Sequence, residues 1–96
     1  MARVVVTARA RTDLERLIRT RNLPATTRTR VAASLRPLAE HPFLGARVGQ
    51  PDVGYRYRLG PWPWMLLLYW FDAERDLVIV ISIEDARSAT AVTHEG

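Results

Sequence analysis

Arginine is the residue best placed to do chemistry in this chain. There are fourteen arginines and no lysine, and a planar guanidinium pairs two-pronged with phosphate or carboxylate where an ammonium offers only a point charge. Genomic composition bias is the plainer account of that choice. The placement of the charges says more. Up to Arg58 twelve arginines face four acids, a net +8, whereas from Leu59 onward two arginines face six acids, a net −4. Such asymmetry suits a polyanion or an acidic protein segment as partner for the basic half. Arg56 and Arg58 alternate within Tyr55-Arg56-Tyr57-Arg58-Leu59, which puts both on one face of a strand, expected to be wet, and Tyr55, Tyr57 and Leu59 on the other. Guanidinium groups held in this way can stabilise charge developing on a phosphate. Solvated arginines are equally expected on any half-exposed sheet.

Proton acceptors to accompany such cations are poor. His41 precedes a proline at a helix end, and His94 lies in a polar tail. Neither reads as a general base. Glu84 and Asp85 follow a strand and read as solvated turn residues. With no cysteine and two isolated histidines, neither a metal site, a disulfide framework nor a cofactor is expected.

The elements that must position these residues follow from short-range pattern. Val4-Val5-Val6-Thr7 is a β-branched run that reads as a first strand. Thr12-Asp13-Leu14-Glu15 fits a capping box, and Leu14, Leu17 and Ile18 share a face, predicting a helix from about Asp13 to Arg21. Asn22-Leu23-Pro24 interrupts it, and a second helix is expected from Pro24 with Val31, Leu35 and Leu38 as its stripe and a kink or stop at Pro37. Turn residues make residues 41–54 a loop. After the arginine-bearing strand and the turn Gly60-Pro61-Trp62-Pro63, the run from Trp64 to Phe71 reads as a strand covered on both sides. A polar hairpin then leads into Leu77–Ile83 as a last central strand. Trp64 and Trp70 read as core and Trp62 as an exposed contact.

Ninety-six residues make one domain, spanning 1–96, with a loose tail from about residue 88. At 48% hydrophobic and 25% charged residues the chain falls outside the composition of disordered segments. The opening residues reach Arg9 after an apolar run too short for a signal peptide or a membrane span, so a cytoplasmic protein with no membrane association is expected. The fold class is α+β: an N-terminal strand, a helical hairpin, then a three-stranded antiparallel meander, with both helices packed on one face of the sheet.

That order, with particular residues, resembles the RelE/ParE superfamily of toxins from about Val4 to Arg87. Asp13-Leu14 with Leu17-Ile18 is similar to the family's first-helix pattern. Leu35, Leu38, Pro42 and Leu44-Gly45 look like its second helix running into a Pro-x-Leu-Gly turn. Tyr69 with Asp72 resembles its Tyr-x-x-Asp strand ending, and Arg87 stands where the family often carries an arginine after the last strand. The resemblance implies a growth-inhibiting toxin silenced by a cognate antitoxin, with plasmid stabilisation as one consequence. Family members act as ribosome-dependent messenger-RNA endonucleases or as inhibitors of DNA gyrase, and fold does not choose between them.

For the endonuclease reading, the resemblance makes Arg56, Arg58 and Arg87 the candidate catalytic set. One departure stands against it: the family arginine within the third strand falls at about Met65 here. A gyrase inhibitor needs only a binding surface, for which Arg16, Arg28 and Trp62 are the candidate partner-binding residues. The alternative class is an RNA- or DNA-binding module, or a lapsed toxin, without enzymatic action.

Overall fold

The computed structural model describes residues 1–49 and 54–88. The expected loose tail and His94 lie outside the described residues, as does part of the 41–54 loop. The elements run β1 (Arg3–Val6), α1 (Ala8–Thr20), α2 (Thr27–Leu35), a 3-10 turn (Arg36–Ala39), β2 (Ala46–Arg47), β3 (Tyr55–Leu59), β4 (Met65–Asp72) and β5 (Leu77–Asp85). The sheet order is β1-β5-β4-β3-β2. The meander β3–β4–β5 is antiparallel as expected, while β1 pairs parallel to β5 after the helical crossover, so the sheet is mixed. The strand β2, absent from the sequence reading, is a two-residue edge on β3.

Helix α1 begins five residues before the expected capping box. Thr7 is its N-cap, its hydroxyl accepting from the Ala10 amide at 3.2 Å and donating to the Val80 carbonyl at 2.9 Å. One side chain thus starts the helix and ties it to β5. The Thr12 box does not form because residue 12 already lies inside the helix that Thr7 caps, and Glu15 pairs instead with Arg28; the Asp13 carboxylate accepts from the Ile83 amide at 3.1 Å. Strand β1 pairs only with residues 77–80 of β5, and Asp13 satisfies an edge amide beyond that point. Helix α1 stops at Asn22, whose φ of +52° is the left-handed conformation that asparagine tolerates.

Both helices bury their apolar stripes on one side of the sheet. Ala10, Leu14 and Leu17 of α1, Val31 and Leu35 of α2, and Leu38 join Met65, Leu67, Tyr69, Val78, Val80 and Ile83 in a single core. Pro37 turns the second helix into a 3-10 turn rather than kinking it, which carries Leu38 into the same stripe. Strand β4 is not covered on both sides: Met65, Leu67 and Tyr69 are buried, whereas Leu66 and Leu68 are half-buried and Trp70 is 36% exposed. A bulge between Leu68 and Tyr69 leaves Ile81 unpaired and shifts the alternation of β5, so that Val78 and Val80 face the core before it, and Ile83 and Asp85 oppose Leu67 and Met65 beyond it.

Candidate functional site

Cross-strand partners share a face, and that rule fixes the arginines of β3. Arg56 opposes Tyr69 and Arg58 opposes Leu67. Both therefore stand on the helix side of the sheet, and the wet face is the other one, with Tyr55 at 40% and Leu59 at 45% exposure. The expectation reversed because β3 follows the phase of its neighbour β4, whose buried residues are Leu67 and Tyr69. Loop carbonyls make Arg56 tolerable there. Arg56 donates to the carbonyls of Gly45 (2.8 Å) and Phe43 (3.2 Å), its guanidinium lying 5.0 Å from the Phe43 ring. The Arg58 Nη1 is buried and has no hydrogen-bond partner among the described residues.

On the opposite face the sheet and α1 enclose an open groove of about 880 Å³. Val48, Tyr57, Leu66 and Leu68 supply an apolar floor, while Arg9, Asp13, Arg16 and Arg21 of α1 form one wall and Glu84 and Asp85 close an end. Arg16 is 3.9 Å from Asp13 and lines the groove. Arg28 lies outside it, in a two-pronged ion pair with Glu15 that joins α1 to α2.

At the groove's end Asp85 is clamped between two arginines. Arg87 donates to it from Nε (2.9 Å) and Nη2 (2.8 Å), and Arg21 from Nε (3.2 Å) and Nη2 (2.9 Å). The Arg87 hydrogen bonds, together with those from its amide and from Arg21, hold the Asp85 carboxyl well below the usual carboxylate range despite the opposing effect of burial. The same pairing raises Arg87. Asp85 is thus buried rather than the solvated turn residue the sequence suggested, and its oxygens are taken up by the two arginines, in keeping with the expectation that it is a poor proton acceptor. Glu84, by contrast, lines the groove and accepts from the Ser82 hydroxyl at 2.8 Å.

Arg87 also lies 5.2 Å from the Trp64 ring, Trp64 stacks on Trp62 at 6.2 Å, and Arg30 lies 5.7 Å beyond Trp62. This row ties α2 to the end of β5, each cation–π contact contributing about 0.5–1 kcal/mol at exposed sites. Trp62 is therefore half-buried, and Trp70 rather than Trp62 is the more exposed tryptophan. Of the three candidate catalytic arginines, the structure puts Arg87 beside the groove and Arg56 and Arg58 behind the sheet. Sequence reasoning missed Arg21 and the Tyr57–Leu66–Leu68 floor. Alternation inside the run from Leu66 to Leu68 was the one available signal, and the uniformly apolar residues hid it.

No protein-family model matches the chain, and no curated protein matches it in sequence. Solved structures do match in fold. A chain of the intact E. coli RelBE toxin–antitoxin complex superposes with a TM-score of 0.67 at 22% identity, covering 90% of this chain and 98% of that one. A chain of the RelBE2 toxin–antitoxin complex from Mycobacterium tuberculosis gives 0.66 at 22% identity, covering 88% and 96%. The isolated E. coli RelE toxin gives 0.66 at 20% identity over the full length of both chains. This is a RelE-type toxin fold. Within the RelE-type fold the motifs that carried the sequence resemblance interlock: Tyr69 holds the turn Pro42-Phe43-Leu44-Gly45, and the Asp72 carboxylate accepts from the amides of Glu74 and Arg75 to close the β4–β5 hairpin. Among the described residues no helix is long and apolar enough to cross a membrane, and no cluster of potential metal ligands occurs.

Proposed function

We propose that this chain is the toxin of a two-gene toxin–antitoxin pair, acting in the cytoplasm and silent while a cognate antitoxin occupies the groove. The observation that carries the reading is the uncovered floor of Tyr57, Leu66 and Leu68 beneath the arginines of α1, in a fold shared with RelE toxins. An amphipathic segment with acids on its polar side fits a floor and rim of that kind, because apolar burial supplies affinity while the charges set orientation.

Inhibition by binding, with gyrase as target, fits the arginines better than message cleavage. Cleavage needs cations converging on one phosphate and an acceptor for the 2′-hydroxyl proton. Here Arg56 and Arg58 stand behind the sheet, Met65 is fully buried, and the oxygens of Asp85 are filled. Arg87, Arg21 and Arg16 then serve as contacts to the target, with Trp62 supporting Arg87 through Trp64. The test is induction of the chain alone and with its neighbouring gene, followed by assays of the purified protein. Growth arrest relieved by the neighbour, with supercoiling inhibited and ribosome-bound message intact, is the expected result. Cleaved message with unaffected supercoiling would replace the gyrase reading, and harmless accumulation of folded protein would remove the toxin reading altogether.

A further inference from the structure

Asp85 is a buried carboxylate, its side chain 4% exposed, with two guanidinium groups paired to it. They come from distant parts of the chain, Arg21 closing α1 and Arg87 following β5. Both use the same edge. Each donates through Nε and Nη2, and the Arg87 amide adds a fifth bond at 3.0 Å, so both carboxylate oxygens are taken. The Nη1 groups of Arg21 and Arg87 make no hydrogen bond among the described residues. The two side chains, 41% and 66% exposed, line an open pocket of about 560 Å³ together with Ser88.

Stability alone does not account for this arrangement, because a buried ion triad is often no more stabilising than apolar side chains filling the same space. The neighbouring strand is already apolar there, with Met65 opposite Asp85. What the carboxylate supplies is geometry. Two like charges side by side repel and swing apart on flexible stems, whereas a shared carboxylate fixes both and leaves their outer edges together. Trp64 adds a second hold, its ring 5.2 Å from the Arg87 guanidinium and stacked on Trp62.

The adjoining groove indicates what the pair meets. Among the described residues its lining sets Arg9, Arg16 and Arg21 against Asp13, Glu84 and Asp85 around the apolar floor. A nucleic-acid backbone brings a phosphate with every unit and would meet those carboxylates as well. A protein segment carries single acids between apolar side chains. We propose that Asp85 is a positioning residue, holding Arg21 and Arg87 as one preformed fork whose Nη1 edges take a single acidic side chain of a protein partner. The inference rests on the reading of the groove as a protein-binding site, not on which protein binds.

The experiment titrates the purified full chain with an amphipathic leucine–glutamate peptide, following tryptophan fluorescence, with a leucine–lysine peptide and an oligonucleotide as comparisons. The leucine–glutamate peptide is expected to bind best, and Arg21→Ala and Arg87→Ala should each weaken that binding by about tenfold, the loss of one charge-assisted contact. Asp85→Asn separates positioning from bare charge. If the arginines act as independent charges, removing the carboxylate beside them tightens the binding of an acid. A fork that has lost its holder binds about tenfold more weakly instead, and Asp85→Glu restores part of the loss. The double variant Arg21→Ala with Arg87→Ala should lose about thirtyfold or less, short of the product of the singles, because either arginine alone no longer forms the fork. In NMR spectra of the parent the Nε–H protons of Arg21 and Arg87 should be protected from exchange, and Asp85→Asn should remove that protection. All variants are compared below their melting transitions, so weaker binding does not reflect unfolding. Tighter binding in Asp85→Asn, arginine losses that multiply in full, or preference for the oligonucleotide overturns the proposal. So does the absence of peptide binding by the parent, whereas co-purification with the neighbouring gene product tests the antitoxin reading separately.

Discussion

The Tyr69 hydroxyl accepts from the Gly45 amide at 2.8 Å and donates to the Pro42 carbonyl at 2.8 Å, closing the loop after the second helix onto the centre of the sheet. Tyr69 is fully buried, and burial pushes its phenol upward. The fit is mutual, because a Cβ on Gly45 would meet the Tyr57 carbonyl oxygen at 2.5 Å and the Tyr69 hydroxyl at 2.7 Å.

Two substitutions measure that relationship. Tyr69→Phe keeps the ring but strands a buried amide and a carbonyl, and should cost about 1–3 kcal/mol. Gly45→Ala forces the backbone away from Tyr57 and should cost about as much or more. Because both break the same contact, the double variant should be less destabilised than the sum of the two singles. Denaturant melts of the three proteins check this, and full additivity would show that the two residues are not coupled.

Acid should loosen the end of the groove. The Asp85 carboxyl is depressed in the folded state by Arg87 and Arg21, so the stability it contributes is complete above the ordinary unfolded-state carboxylate range, about pH 4, and is lost as pH falls below it. Asp85→Asn should lower the melting temperature at pH 7 and flatten its dependence on pH below about 4. Thermal melts from pH 2 to 7 decide the point, and parallel curves for parent and variant would refute the clamp.

The groove floor separates folding from neutralisation. Leu68 is half-buried and lines the groove, so Leu68→Glu should cost the fold only about 1 kcal/mol while placing a charge where an antitoxin's apolar side chains would seat. Co-expression of the neighbouring gene should then fail to restore growth or to co-purify with the variant. If rescue and co-purification persist, the antitoxin binds elsewhere.

The arginines can be ranked by toxicity. Arg87→Ala and Arg21→Ala should each weaken growth arrest by about tenfold, as loss of one contact of about 1–2 kcal/mol would, with Arg87→Lys partly restoring it. Arg56→Ala and Arg58→Ala should leave arrest nearly intact once their melting temperatures are matched by growth at lower temperature. The opposite ranking would return the active surface to the arginine face of β3.

Short-range pattern alone determined the α+β order, the antiparallel meander and the stripes Leu14–Leu17 and Val31–Leu35–Leu38, because helical and strand periods are written in neighbouring residues. It also brought out Asn22 and Pro37 as places where helices end. Which face of a strand becomes buried is not a local property. The phase of β3 was decided by its register with β4, the inward turn of Asp85 by the bulge beside Ile81, and the outward position of Trp70 by the helices covering only one side of the sheet. The parallel pairing of β1 with β5, and the hydrogen bond from the Ile83 amide to the Asp13 carboxylate, join residues some seventy positions apart. Only the tertiary structure sets such contacts, because burying a chain's apolar surface fixes which backbone groups still lack partners, and distant side chains then supply them.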